Sequence, residues 1–162
     1  MKSVFKSWSI FLLVLTLLAC PTTSIAREDV IGLIDSQALL AQFPQFNEQY
    51  QNYQPTAVEL QAIKRIEGKT LVVLFGTWCH DSVREVPRLL KSLALAQVNL
   101  DRLQLLGVDT SKQLPGAEQQ AYDLRYTPTF IVFEENRELG RIIERPTATL
   151  AEDLAALVVP SQ

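Results

Sequence analysis

Leu71-Val72-Val73-Leu74-Phe75 runs directly into Gly76-Thr77-Trp78-Cys79-His80-Asp81-Ser82. The first five residues are an unbroken apolar run of strand length, the pattern of a central strand covered on both faces. Behind them Val83, Val86, Leu89, Leu90 and Leu93 recur at helical intervals over about 82–96, with Pro87 inside as an expected kink. A strand that turns into a helix at this point places Cys79 at the helix N-terminus. Unpaired backbone N–H groups and the positive end of the helix dipole there favour the thiolate, the attacking form of cysteine. His80, when protonated, would favour the thiolate further and Asp81 would oppose it, so these residue types leave the net shift unsigned. The other reading of Cys79 is a small buried hydrophobe.

Outward from this stretch the chain alternates strands and helices. Downstream, 103–108 reads as a strand, 117–124 as a short helix and 129–133 as a strand. Glu134-Glu135-Asn136 turns the chain into an antiparallel strand over 139–143. Thr147 is the expected cap of a terminal helix whose Leu150, Leu154, Leu157 and Val158 face inward. Upstream, Ser36 is the expected N-cap of a helix to about Phe43, which Pro44 interrupts. Phe43, Phe46, Tyr50 and Tyr53 follow at spacings of three and four, one apolar helical face for packing on the main domain. Thr56 caps a second helix to about Ile66, with Val58, Ile63 and Ile66 at helical intervals, and Gly68 ends it. The order β-α-β-α-β-β-α predicts an α/β fold: a central mixed β-sheet flanked by helices on both faces, with an N-terminal helical extension.

With 162 residues, 48% hydrophobic and 20% charged, the chain fits one compact domain plus a short N-terminal addition. A net charge of -3, with no basic block in the body of the chain, gives no attraction to phosphate backbones, so no nucleic-acid partner is expected. Lys2, Lys6 and the apolar run from Trp8 to Ala19 read as an export signal, and nothing after residue 26 approaches the roughly 18 apolar residues of a membrane span. Two processing routes stay open: cleavage after Ala26, behind the small residues Ser24 and Ala26, or lipidation at Cys20 in Leu17-Leu18-Ala19-Cys20. Residues 1–26 (or 1–19 with lipidated Cys20) are therefore read as the signal, 27–56 as the helical extension and 57–160 as the main domain. Either route leaves Cys79 as the one free thiol, in an exported and periplasmic or lipid-anchored protein that uses no internal disulfide.

Over about 57–158 the chain resembles the thioredoxin superfamily. Trp78-Cys79 after the strand looks like the family's redox turn, and Pro87, eight residues on, falls where thioredoxins have their helix proline. Thr127-Pro128-Thr129-Phe130 looks like the cis-proline loop, and Leu139-Gly140-Arg141 like the final hairpin. The resemblance implies that Pro128, if cis, presents the Thr127 backbone beside Cys79 to an extended peptide. Trp78, Thr127 and Pro128 are the expected substrate-binding residues, with Trp78 half-exposed beside the site, where it either shields the thiol or packs as core. In two places the chain departs from the pattern. Ser82 stands where dithiol members have a resolving cysteine, giving Cys-His-Asp-Ser, and Val73 stands where they bury an acid that serves that second thiol. Ser82 either bonds the Cys79 thiolate or serves the first helical turn, and His80 either tunes Cys79 or is a solvated turn residue. Arg84, Glu85 and Arg88 read as a solvated helix face.

The expected function is monothiol thiol–disulfide exchange with protein or small-thiol partners, Cys79 being the nucleophile and His80 and Ser82 its helpers. No cofactor is expected, and no metal, because Cys79 and His80 supply too few ligands. The rival is a non-catalytic, chaperone-like binding module built on the same fold.

Overall fold

The structure, a computed structural model, describes residues 28–113 and 122–158. Its elements are β1 (Gly32–Ile34), α1 (Ser36–Gln42), α2 (Pro44–Asn52), α3 (Ala57–Ile63) with a 3-10 turn over Lys64–Ile66, and β2 (Thr70–Phe75). Then follow α4 (His80–Ala96), β3 (Arg102–Gly107), β4 (Thr129–Glu134), β5 (Arg137–Ile143) and α5 (Leu150–Leu157).

The five strands form one sheet in the order β1-β3-β2-β4-β5. β2 lies at its centre, parallel to β3 and antiparallel to β4, while β1–β3 and β4–β5 are antiparallel. The apolar run thus has the central, doubly covered place that its lack of alternation predicts. Leu71, Val73 and Phe75 point to one face, where Leu105, Phe130 and Val132 join them and residues of α1 through α5 pack. Val72 and Leu74 point to the other face with Leu106, Val108 and Ile131, covered by Tyr122 and Leu124. All the described helices therefore lie on one face. The helix expected on the opposite side, over 117–124, falls largely outside the described residues.

Several expectations move by a residue or a role. Asp35, not Ser36, caps α1, its carboxylate accepting the Ala38 N–H at 2.9 Å. Pro44 opens α2 instead of merely ending α1, since a proline at the first helical position forfeits no helical hydrogen bond. Thr149, not Thr147, caps α5. Val58 is 62% exposed and takes no part in the core. The segment 27–56 is not purely helical, because β1 adds an edge strand to the sheet. It also shares the main core, with Leu39, Phe43 and Phe46 buried beside Phe75.

The join between α2 and α3 is polar. Thr56 and Glu59 form a reciprocal capping box, and Glu59 also accepts a short hydrogen bond from the Tyr53 hydroxyl. Burial alone would push the Glu59 carboxyl up, but donors from Tyr53 and Thr56 more than offset it and hold the group below its ordinary value. A depressed folded-state value means stability that is present above the unfolded value and lost as pH falls through the folded one. Urea midpoints are therefore expected to fall on acidification through and below the usual carboxylate range. They should fall less steeply in Glu59→Gln, whose midpoint at neutral pH should already be lower by about 1–2 kcal/mol of stability.

Candidate functional site

The site forms where the centre of the sheet hands over to α4. β2 ends at Phe75, the chain turns through Gly76-Thr77-Trp78 with the Cys79 N–H donating to the Gly76 carbonyl at 3.0 Å, and Cys79 becomes the N-cap of α4. Pro87 lies inside α4, which continues through it. The turn is held from three directions. Thr77 is buried and its hydroxyl donates to the Asp29 carboxylate at 2.7 Å, while the Trp78 indole N–H donates to the Val108 carbonyl at 3.0 Å. Gly76 admits the indole: a Cβ there would stand 2.5 Å from the ring. A Cβ at Gly107 would stand 2.3 Å from the Val30 carbonyl, so the segment before β1 crosses the end of β3 at close range.

The Thr127–Pro128 peptide is cis, and both residues are buried. The Cys79 thiol donates to the Thr127 carbonyl with Sγ and O 3.2 Å apart. Burial raises the thiol's pKa, but hydrogen bonds from the Thr127 and Ser82 side chains and from the backbone N–H groups of Ser82 and Asp81 outweigh it, leaving Cys79 below an ordinary thiol. The net direction that the residue types left open is thus downward, and the first turn of α4 contributes to it as a helix N-terminus should. Ser82 is fully buried and bonds Cys79, and its oxygen accepts the Gly76 N–H at 3.2 Å, which ties α4 back to the end of β2 and not to its own first turn.

Cys79, Ser82, Thr127 and Pro128 therefore meet, with Trp78 37% exposed beside them. His80 points away: its side chain is 89% exposed and its ring nitrogen lies 3.9 Å from Asp81. Cys20 lies outside the described residues. Tyr126, next to Thr127, is 51% exposed and adds a second accessible ring at the loop.

The charges along α4 differ from the solvated face that the sequence predicts. Glu85 is buried, Arg84 bridges Asp81 at 2.7 Å and Glu85 at 2.6 Å, and Arg88 lies over the Tyr53 ring, 5.2 Å from its centre. This face is only partly open to water and meets Tyr53 at the end of α2, which no local pattern in α4 discloses. Arg145, from the loop after β5, also reaches Asp81, with Nε 3.2 Å from the carboxylate. Burial would raise Asp81, but Arg84 and Arg145 hold it below the usual carboxylate range. Among the described residues no group of three or more His, Cys, Asp and Glu residues comes together as a metal ion would require. No described helix is long and apolar enough to cross a membrane.

A thioredoxin family profile matches residues 38–155 of the 162. No curated protein matches the sequence. Among solved structures, the chain is similar to a protein of unknown function from Pseudomonas aeruginosa, at 21% identity over 75% of this chain and 80% of that one, with a TM-score of 0.47. It is also similar to an HIV epitope scaffold, at 22% identity over 75% and 73%, with a TM-score of 0.44. Mitochondrial thioredoxin 3 from Saccharomyces cerevisiae, in its oxidised form, aligns at 19% identity over 62% and 92%, with a TM-score of 0.38. The profile match spans well over half the chain, the sheet is the mixed sheet that the resemblance implies, and the chain belongs to the thioredoxin family.

Proposed function

We propose that the protein carries out thiol–disulfide exchange through Cys79 alone, with a protein or small-thiol partner. The observation that supports this most is the fully buried Ser82 hydroxyl, one helical turn along from Cys79, where a second thiol would be needed for an internal disulfide. The Cys79 thiolate attacks one sulfur of a partner disulfide, forming a mixed disulfide and expelling the other sulfur as a thiolate. A second thiolate, from another molecule or from the partner itself, then attacks that bond and restores Cys79. Electrons are conserved over the cycle, so the net change is a rearrangement of partner disulfides or transfer between partners.

Thr127 takes part in both stages. In the resting thiol its carbonyl accepts the Cys79 proton. In the mixed disulfide that proton is gone, and the carbonyl is available to a backbone N–H of a bound extended chain. Trp78 and Tyr126 offer rings to the same segment.

Export is part of the proposal, supported by Lys2, Lys6 and the apolar run that follows, with either cleavage after Ala26 or a lipid on Cys20. The test is trapping in the native compartment: wild type and Cys79→Ala are alkylated, separated without reductant and analysed by mass spectrometry, which also reads the processed N-terminus. Discrete complexes or small-thiol adducts that vanish in the variant are expected. A folded wild type with no such species would overturn exchange and leave a binding module.

A further inference from the structure

Two acids lie along the first turns of α4, Asp81 and Glu85, and Arg84 bonds both. Arg84 is shared between the two carboxylates and Glu85 has Arg88 besides, at 3.7 Å, whereas Asp81, two residues along the chain from Cys79, has no second guanidinium on the helix. The balance is completed from outside the helix by Arg145. Its place there is fixed by its neighbour: the Glu144 N–H donates to the Pro128 carbonyl at 2.8 Å, and Glu144 adopts a left-handed φ of 59° to do so. Consecutive residues of one loop thus hold the two walls of the thiol site, the Pro128 loop by backbone and α4 by side chain.

We propose that Arg145 is a positioning residue of the thiol site, held by the Glu144–Pro128 bond so that its guanidinium cancels the Asp81 charge beside the attacking sulfur. This rests on the reading of Cys79 as the exchanging thiol. The other charged or titratable groups on the segments that meet at the thiol site are His80, Arg84, Glu85 and Arg88 on α4, Glu144 beside Arg145, Asp29 on Thr77, Asp109 after β3 and Tyr126 before Thr127. Asp81 takes guanidinium contacts from Arg84 and Arg145, with the exposed His80 ring 3.9 Å away, and of the two arginines only Arg145 does so without also binding Glu85.

The test is the pH dependence of Cys79 alkylation by iodoacetamide, followed on the Cys79 peptide by mass spectrometry, in wild type, Arg145→Gln, Arg145→Lys, Asp81→Asn and the Asp81→Asn/Arg145→Gln pair. Arg145→Gln is expected to move the inflection to higher pH and slow alkylation below it about threefold at low ionic strength, with added salt narrowing the difference. Arg145→Lys should restore the wild-type profile. In the Asp81→Asn background the Arg145→Gln effect should shrink, because the guanidinium has lost the anion that holds it. An unchanged profile in Arg145→Gln would overturn the proposal, as would failure of lysine to restore it. So would a shift to lower pH, the sign expected if the loop served only to press the Thr127 carbonyl, an acceptor for the neutral thiol, against Cys79. The alkylation readout needs no partner, so a failure of disulfide exchange itself would appear in trapping and leave these profiles untouched.

Discussion

Replacing Ser82 with cysteine is expected to shorten the lifetime of Cys79 mixed disulfides by about two orders of magnitude, because an outside thiol is exchanged for one held in place. The Ser82 hydroxyl already bonds Cys79 from inside the first turn of α4, so a thiol there needs no search to reach the mixed disulfide. Its attack would release the partner as a thiol and leave an internal disulfide, a two-electron step that the native residue does not permit. Two features of the site limit the gain. The position is fully buried, which keeps a thiol protonated, and Val73 offers no carboxylate to take the proton, so the acceleration should grow as pH rises. The Gly76 N–H would also exchange an oxygen acceptor for a poorer sulfur one, costing about 1 kcal/mol of stability. Quenched trapping followed by non-reducing electrophoresis measures the outcome. Trapped complexes should fade in Ser82→Cys while the intact mass loses two hydrogens. Lifetimes equal to wild type would mean that release is already governed by the partner's own second thiol.

The elements best read from the sequence are those whose pattern is long and whose environment is uniform. β2 is apolar from Leu71 to Phe75 because it is covered on both faces, and α4 shows its buried stripe over more than four turns. β1 escaped because three residues at a sheet edge have no period to detect, and their pairing is with β3, far along the chain. The caps slipped where two capable side chains lie close together, Asp35 beside Ser36 and Thr149 two residues after Thr147. The geometry alone chooses between them. At the site, Cys79, Ser82, Thr127 and Pro128 were legible because each occupies a motif position. Asp29, Glu85 and Arg145 were not, since folding sets their surroundings: it brings Thr77 to Asp29 and Asp81 to Arg145, and it buries Glu85 together with its bonds to Arg84 and Arg88. His80, whose place next to the nucleophile left tuning and solvation both open, turns its side chain to water.

Phe46→Ala is expected to destabilise the protein by about 3–5 kcal/mol, the cost of deleting a buried ring and leaving its cavity. Phe46 is fully buried, edge-on to Phe43 at 6.2 Å and to Phe75 at 5.9 Å between ring centres. Such a loss is a large share of the roughly 5–15 kcal/mol by which domains are held folded. It falls on a residue of the N-terminal segment, so its size measures whether that segment is an appendage or part of the core. The burial of Leu39, Phe43 and Phe46 with Phe75 argues for the core. Phe75 is the last residue of β2, and Gly76 and the thiol turn begin directly after it. Losing the ring that supports Phe75 should therefore also loosen the hydrogen bonds that lower the Cys79 pKa, and the inflection of Cys79 alkylation should rise even where the variant remains folded. Val58→Ala is the matched control: in the same N-terminal half but 62% exposed, it should change stability by no more than about 0.5 kcal/mol. Urea midpoints for the two variants decide the matter. A Phe46→Ala midpoint close to that of Val58→Ala would mean that the sheet and α4 hold the thiol turn without help from α2.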